Sequence, residues 1–247
     1  MNPSTLAEAK ELFDTTKKTA LTTRNISTIV APPHMFLHAL SASTRAKRLQ
    51  FAAQNIHSEI AGAEVGEVSA MQAKDIGVTY ALVGHSAHRN AGETDEGINK
   101  KIITALSTKL TPVLFVGEQE RDAHGNFLHA LRKQVVAALE GVEAKDIKNI
   151  VFVYEPVWAI STNKSQDGEE EITANDMHKM VLYIQKVLAE LHGLPVARKA
   201  QILYGGSVNS QNTTEILSVP GVSGAVVGAA SLDAKEFRSI LQAANKA

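Results

Sequence analysis

The stretch Ile150-Val151-Phe152-Val153-Tyr154-Glu155-Pro156-Val157-Trp158-Ala159-Ile160 sets the reading of the whole chain. Its first five residues are apolar without alternation and β-branched or aromatic, as in a parallel strand covered on both faces. An acid then ends the run, and the proline after it fixes the backbone where the strand would exit. Working outward, similar runs recur at Ser27–Ala31, Leu49–Gln54, Tyr80–Gly84, Val113–Gly117, Ala200–Tyr204 and Ser223–Gly228. Amphipathic stretches lie between them. In Met177–Leu191, residues Met177, Met180, Val181, Ile184, Val187, Leu188 and Leu191 share one helical face. A helix is also expected at about Pro3–Thr19, and another from Asp233, which is placed to cap it. Strand–helix units with short connections imply a parallel α/β sheet, open or closed into a barrel. Seven strands are found, whereas a closed barrel of this type has eight.

Composition narrows the function. The chain has 247 residues, and about 250 is a usual size for one α/β barrel. It has no cysteine, which excludes thiol catalysis, Cys-ligated metals and iron–sulfur clusters. A net charge of -1 argues against a nucleic-acid partner, which calls for a basic footprint. No apolar run approaches a membrane span, and the start MNPSTLAEAKEL lacks the apolar core of a signal peptide, so a cytoplasmic protein is expected. His34 and His38 stand one helical turn apart without a visible third ligand; they are expected as a surface pair, and no metal is expected. Glu169-Glu170-Glu171 reads as a solvated run before a helix capped by Thr173 or Asn175.

In such barrels the active site gathers at the C-terminal strand ends. The candidate segments are therefore Gln54-Asn55, Gly84-His85-Ser86, the run from Glu155, Tyr204-Gly205-Gly206-Ser207-Val208 and Gly228-Ala229-Ala230-Ser231. Alone, Glu155 reads equally as an ion-paired structural carboxylate or as a proton-transfer group. His85 reads as a satisfied structural residue, or as an imidazole kept neutral at a helix N-terminus that donates to a developing oxyanion. Each small-residue turn is a weak signal, yet two after the last two strands match the usual phosphate site of barrel enzymes. A base, a neutral donor and a phosphate cradle together point to proton abstraction beside a carbonyl of a small phosphorylated substrate.

Over its length from Met1, the chain resembles the triosephosphate isomerase family. The motifs that carry the resemblance are Ala53-Gln54-Asn55, Val83-Gly84-His85-Ser86, Tyr154–Ile160 and Leu203-Tyr204-Gly205-Gly206-Ser207-Val208-Asn209. The resemblance implies a (β/α)8 TIM barrel spanning 1–247 as one domain. It also implies cofactor-free interconversion of dihydroxyacetone phosphate and glyceraldehyde 3-phosphate. By resemblance, Glu155 shuttles the proton and His85 polarises the carbonyl, the roles known in that family. The phosphate lies on the backbone N–H groups of Ser161, Ser207, Gly228 and Ala229. The lid is Pro156, Val157, Trp158, Ala159, Ile160, Ser161, Thr162 and Asn163. The family is a homodimer through the loop Ile56–Met71; here a weak dimer, a rearranged dimer and a monomer all stay open.

The departures carry expectations of their own. The family's first-strand motif Asn-x-Lys-Met-Asn is matched only at its end, by Met1-Asn2, so its active-site lysine falls just before Met1. The barrel is thus expected to be incomplete, with the first β-strand missing and seven strands and eight helices present. A late-assigned start is one explanation. Ala87 for the family glutamate, His88 for its arginine and Val65 for its loop threonine favour a shortened protein instead, because their partners are the absent groups. Ser161 and Asn163 replace lid glycines, Phe115 a cysteine, Ser223 an aspartate and Ala229 a glycine. Without the lysine, activity is expected to be very low; the alternative is a non-catalytic phosphate-ligand binder or assembly protein.

Overall fold

A computed structural model describes residues 2–44, 46, 48–122, 124–160 and 172–247. Its centre is one sheet of seven parallel strands in sequence order: β1 (Thr28–Val30), β2 (Leu49–Ala53), β3 (Tyr80–Val83), β4 (Thr111–Val116), β5 (Val151–Tyr154), β6 (Gln201–Tyr204) and β7 (Gly224–Ala225). All seven lie inside or beside the expected runs. The helices are α1 (Leu6–Thr22), α2 (His34–Ser41), α3 (Ala70–Asp75), α4 (Ser86–Asn90), α5 (Asp95–Ser107), α6 (Asn126–Ala138), α7 (Ala174–His192), α8 (Leu194–Ala197), α9 (Thr213–Ser218) and α10 (Ala234–Ala244). They fill the eight expected helical places, two of which are split. Gly92, at φ 101, separates α4 from α5, and Gly193, at φ 88, separates α7 from α8. Glycine adopts that left-handed backbone at little steric cost.

Caps decide where the helices begin. Thr5 and Glu8 form a capping box ahead of α1, and Asp233 accepts the Lys235 and Glu236 amides at α10. Thr173 caps α7, leaving Asn175 inside that helix. The strands divide their residues between two faces with period two. On β4 and β5, Val113, Phe115, Val151 and Val153 point into the barrel, whereas Leu114, Val116, Phe152 and Tyr154 pack beneath the helices. Tyr80, Leu82, Leu203 and Val226 extend the inner layer toward the sheet margins and are only half-buried.

The sheet curls far enough for its flanking helices to meet. The N-terminal helix α1 packs along α10, and Asn25, just ahead of β1, donates two 2.9 Å hydrogen bonds to Asn245 beyond α10, from its backbone N–H and its side-chain amide. The strands do not follow: β1 pairs with β2 and β7 with β6, and among the described residues β1 and β7 do not pair with each other. The helical layer closes while the strand layer keeps two free edges. Among the described residues no helix is long and apolar enough to cross a membrane.

Candidate active site

The C-terminal ends of β3 and β5 bring His85 and Glu155 together, two strands apart. Two glycines allow it. Gly84 turns the chain at φ 74 immediately ahead of His85. A Cβ on Gly117 would stand 1.8 Å from the Glu155 carbonyl oxygen, so only glycine lets the β4 and β5 exits lie this close.

Glu155 is 3% exposed. Its Oε2 accepts the Ser86 backbone N–H at 2.9 Å, and its Oε1 stands 3.2 Å from His85 Nε2. Burial pushes the carboxyl up to about 7, against the opposing pull of the Ser86 hydrogen bonds and the Arg89 charge. Burial also pushes His85 down to about 4, with the nearby His88 imidazole acting the same way. The 3.2 Å contact therefore sets a neutral imidazole against the carboxyl rather than forming an ion pair. The tautomer follows from the cap of α4. His85 Nδ1 accepts the Ala87 N–H at 3.1 Å, so Nδ1 carries the lone pair and Nε2 the proton. A buried carboxyl poised near neutrality thus faces a neutral N–H donor, a set that can take a proton from carbon while steadying the oxyanion formed.

Cations beside this pair are already engaged. Arg89 donates to the Gly84 carbonyl and pairs with Asp95 at 2.7 Å. Lys101 donates to Asn55 Oδ1 at 2.8 Å and pairs with Glu93. His34 departs from the expected surface pair: half-buried, it hydrogen-bonds the Asn55 carbonyl oxygen at 2.9 Å, while His38 stays exposed. Among the described residues no three His, Cys, Asp or Glu side chains gather as a metal site.

The residues expected to form the lid include a short 3-10 turn, Val157–Ala159, over a cluster that the sequence reading passed by. Glu118, 1% exposed, receives at Oε1 the Tyr154 hydroxyl at 2.8 Å, the Trp158 indole N–H at 2.9 Å and Arg121 Nε at 3.1 Å. The Arg121 guanidinium lies 5.0 Å from the Trp158 ring centre. An acid directly after an apolar strand and glycine is the signal that could have found Glu118, just as it found Glu155. At the far side Ser207 donates its hydroxyl to the Ala159 carbonyl at 3.0 Å. Gly228 and Ala229 open the 3-10 turn that follows β7. Pro156 to Ile160 are described, whereas Ser161, Thr162 and Asn163 lie outside the described residues.

A family model described as triosephosphate isomerase matches residues 1–244. The chain belongs to the triosephosphate isomerase family. It is 39% identical over 219 residues to the triosephosphate isomerase of Alkaliphilus oremlandii, covering 87% of this chain and 86% of the relative. It is 40% identical over 216 residues to that of Dictyoglomus thermophilum, covering 87% and 84%. The match to that of Alkaliphilus metalliredigens, at 38% over 240 residues, covers 96% and 94%. Seven parallel strands with surrounding helices agree with a triosephosphate isomerase barrel type, as expected from the motifs.

Proposed function

We propose that this protein interconverts dihydroxyacetone phosphate and glyceraldehyde 3-phosphate in the cytoplasm, slowly. The observation that carries the reading is the contact between the Glu155 carboxyl, poised at about 7, and the Nε2–H of neutral His85. In its ionised form Glu155 takes a proton from the carbon beside the substrate carbonyl. His85 Nε2–H hydrogen-bonds the carbonyl oxygen as negative charge develops there. The enediolate passes its hydroxyl proton from one oxygen to the other and regains the carbon proton from Glu155 on the neighbouring carbon, so the isomerisation balances with neither cofactor nor redox partner. The amides of Ser161, Ser207, Gly228 and Ala229 hold the phosphate, and Pro156 to Asn163 close over it to exclude water.

The low rate is proposed because Ala87 and His88 stand where the family carries a glutamate and an arginine. Losing one group that stabilises developing charge typically costs about 100- to 1000-fold. Lys101 of α5 is held by Glu93 and Asn55. The purified chain should turn over glyceraldehyde 3-phosphate weakly, with kcat/KM rising as pH climbs through about 7 and Glu155 ionises. Glu155→Gln should abolish that turnover. An ordinary enzymatic rate would overturn the low-activity reading, and turnover unchanged by E155Q would overturn the base.

The departures at Ala87, His88 and Val65 favour a second reading, a non-catalytic binder of phosphate ligands. Calorimetry with phosphoglycolate separates the two from a purely structural role, since absence of binding removes both site-based readings. The oligomer is proposed as a homodimer joined weakly through the loop 56–71, where Val65 is fully exposed and Ile60 is 46% exposed. Sedimentation of the parent chain and of Val65→Asp tests it.

A further inference from the structure

The plane of the His85 ring is not fixed by its own rotamer. The last torsion of histidine is broad, so the imidazole turns unless neighbours hold it. Yet both of its working contacts depend on that plane. Nδ1 must aim its lone pair at the Ala87 N–H, and Nε2–H must aim at Glu155. Two rings meet it edge-on: Phe115 of β4, with centroids 4.9 Å apart and planes at 65°, and His88 of α4, at 6.3 Å and 64°. Phe115 is 1% exposed inside the barrel, so it cannot swing away. His88 is anchored by its own backbone, whose N–H donates to the His85 carbonyl at 2.8 Å. Its Nδ1 is buried with no hydrogen-bond partner, so no polar contact of that atom explains where the ring sits.

We infer that Phe115 and His88 are positioning residues that clamp the His85 imidazole edge-on and hold it in the Nε2–H tautomer facing Glu155. The inference rests on His85 as the hydrogen-bond donor of the proposed reaction. Both positions were singled out in the sequence as departures from the family pattern, and the fold brings both onto one ring. Charged and titratable groups around the clamp are Glu155 from β5, Arg89 and Glu93 beyond His88, Lys101 from α5, and His34 and Glu67 from the adjoining loops. A charge effect of His88 therefore has to be separated from the effect of its ring.

The test reads the ring itself, independently of turnover. Nitrogen-15 NMR of the His85 side chain in the purified full chain should show one protonated nitrogen, Nε2, and one unprotonated, Nδ1, from pH 5 to 8. His88→Phe keeps a ring without the charge and should leave that pattern intact. His88→Gln and Phe115→Leu remove a ring each and should move both shifts toward the averaged values of exchanging tautomers, most of all in the double variant. Retention of the single-tautomer pattern in a double variant whose circular dichroism matches the parent would overturn the clamp. So would a His88→Phe spectrum equal to that of His88→Gln, because charge rather than ring would then be responsible. If the double variant does not fold, each single variant compared with His88→Phe decides between the same outcomes. Failure of the isomerase reading would appear separately, as absence of phosphoglycolate binding in the parent.

Discussion

At the scale of single residues, one cause moves two side chains in opposite directions. Burial disfavours charge, so it raises the Glu155 carboxyl to about 7 and lowers the His85 imidazole to about 4. The consequences for stability have opposite signs. The raised carboxyl contributes stability that is full below its ordinary value near 4.5 and is lost as pH rises through about 7. The lowered imidazole contributes stability that is present above its ordinary value near 6.5 and is lost as pH falls through about 4. Between those ordinary values the folded site holds the carboxyl proton and lacks the imidazole proton, the reverse of the unfolded chain, so the two slopes cancel. Above that window only Glu155 acts, and it destabilises. Glu155→Gln removes this pH-dependent part. The variant's stability relative to the parent should therefore grow between pH 5 and pH 8.5, by at most about 3 kcal/mol. Urea unfolding at both pH values measures it; a difference that stays constant would mean that the carboxyl is not raised.

At the scale of elements, the turn Val157–Ala159 is tied to β4 and β5 through one carboxylate. Glu118 Oε1 receives a hydroxyl, an indole N–H and a guanidinium together. The neighbouring negative charge adds to burial in pushing the Tyr154 phenol well above its ordinary range. Glu118→Ala would take the acceptor from the Tyr154 hydroxyl and the Trp158 indole, while partly exposed Arg121 keeps its bond to Tyr154, and should cost about 1–3 kcal/mol, read as a fall in thermal midpoint. The chain has one tryptophan, so the fluorescence of Trp158 should also change in that variant, and no change would show that the anchor is not made in solution. These elements show how much the sequence disclosed. The strands were legible because parallel strands bury both faces and write themselves as apolar runs, and Thr173 and Asp233 were legible as caps. The splits at Gly92 and Gly193 were not, because an amphipathic pattern runs on through a glycine turn. Glu155 and His85 stood out at strand ends, and Glu118 carries the same strand-end signal, yet nothing local shows that Arg121 and Trp158 converge on it. Such contacts join residues about 40 positions apart and exist only once β4 and β5 pair.

At the scale of the whole molecule, helices and strands disagree about closure, and the disagreement can be read amide by amide. A parallel strand sends alternate N–H groups to opposite neighbours. In β1, Thr28 N–H donates across to Arg48 on the β2 side at 3.0 Å, so the amide of Ile29 faces the free edge. In β7, Ser223 N–H donates to Ile202 of β6 at 2.7 Å, so the amide of Gly224 faces the other free edge. Thr28 Oγ1 is also buried without a partner, and the inner-face side chains lose cover toward both margins. The contacts of α1 with α10 hold the flanks together without supplying these backbone partners. Hydrogen exchange should therefore alternate within a single strand: Ile29 and Gly224 fast, Thr28 and Ser223 slower, and the β4 and β5 amides slowest, since those strands have neighbours on both sides. Fast exchange throughout β1 would mean fraying of the strand as a unit rather than a free edge. Equal, strong protection of Ile29 and Thr28 would mean that the edge is covered, and the seven-stranded sheet would then have to be closed by a backbone outside the described residues.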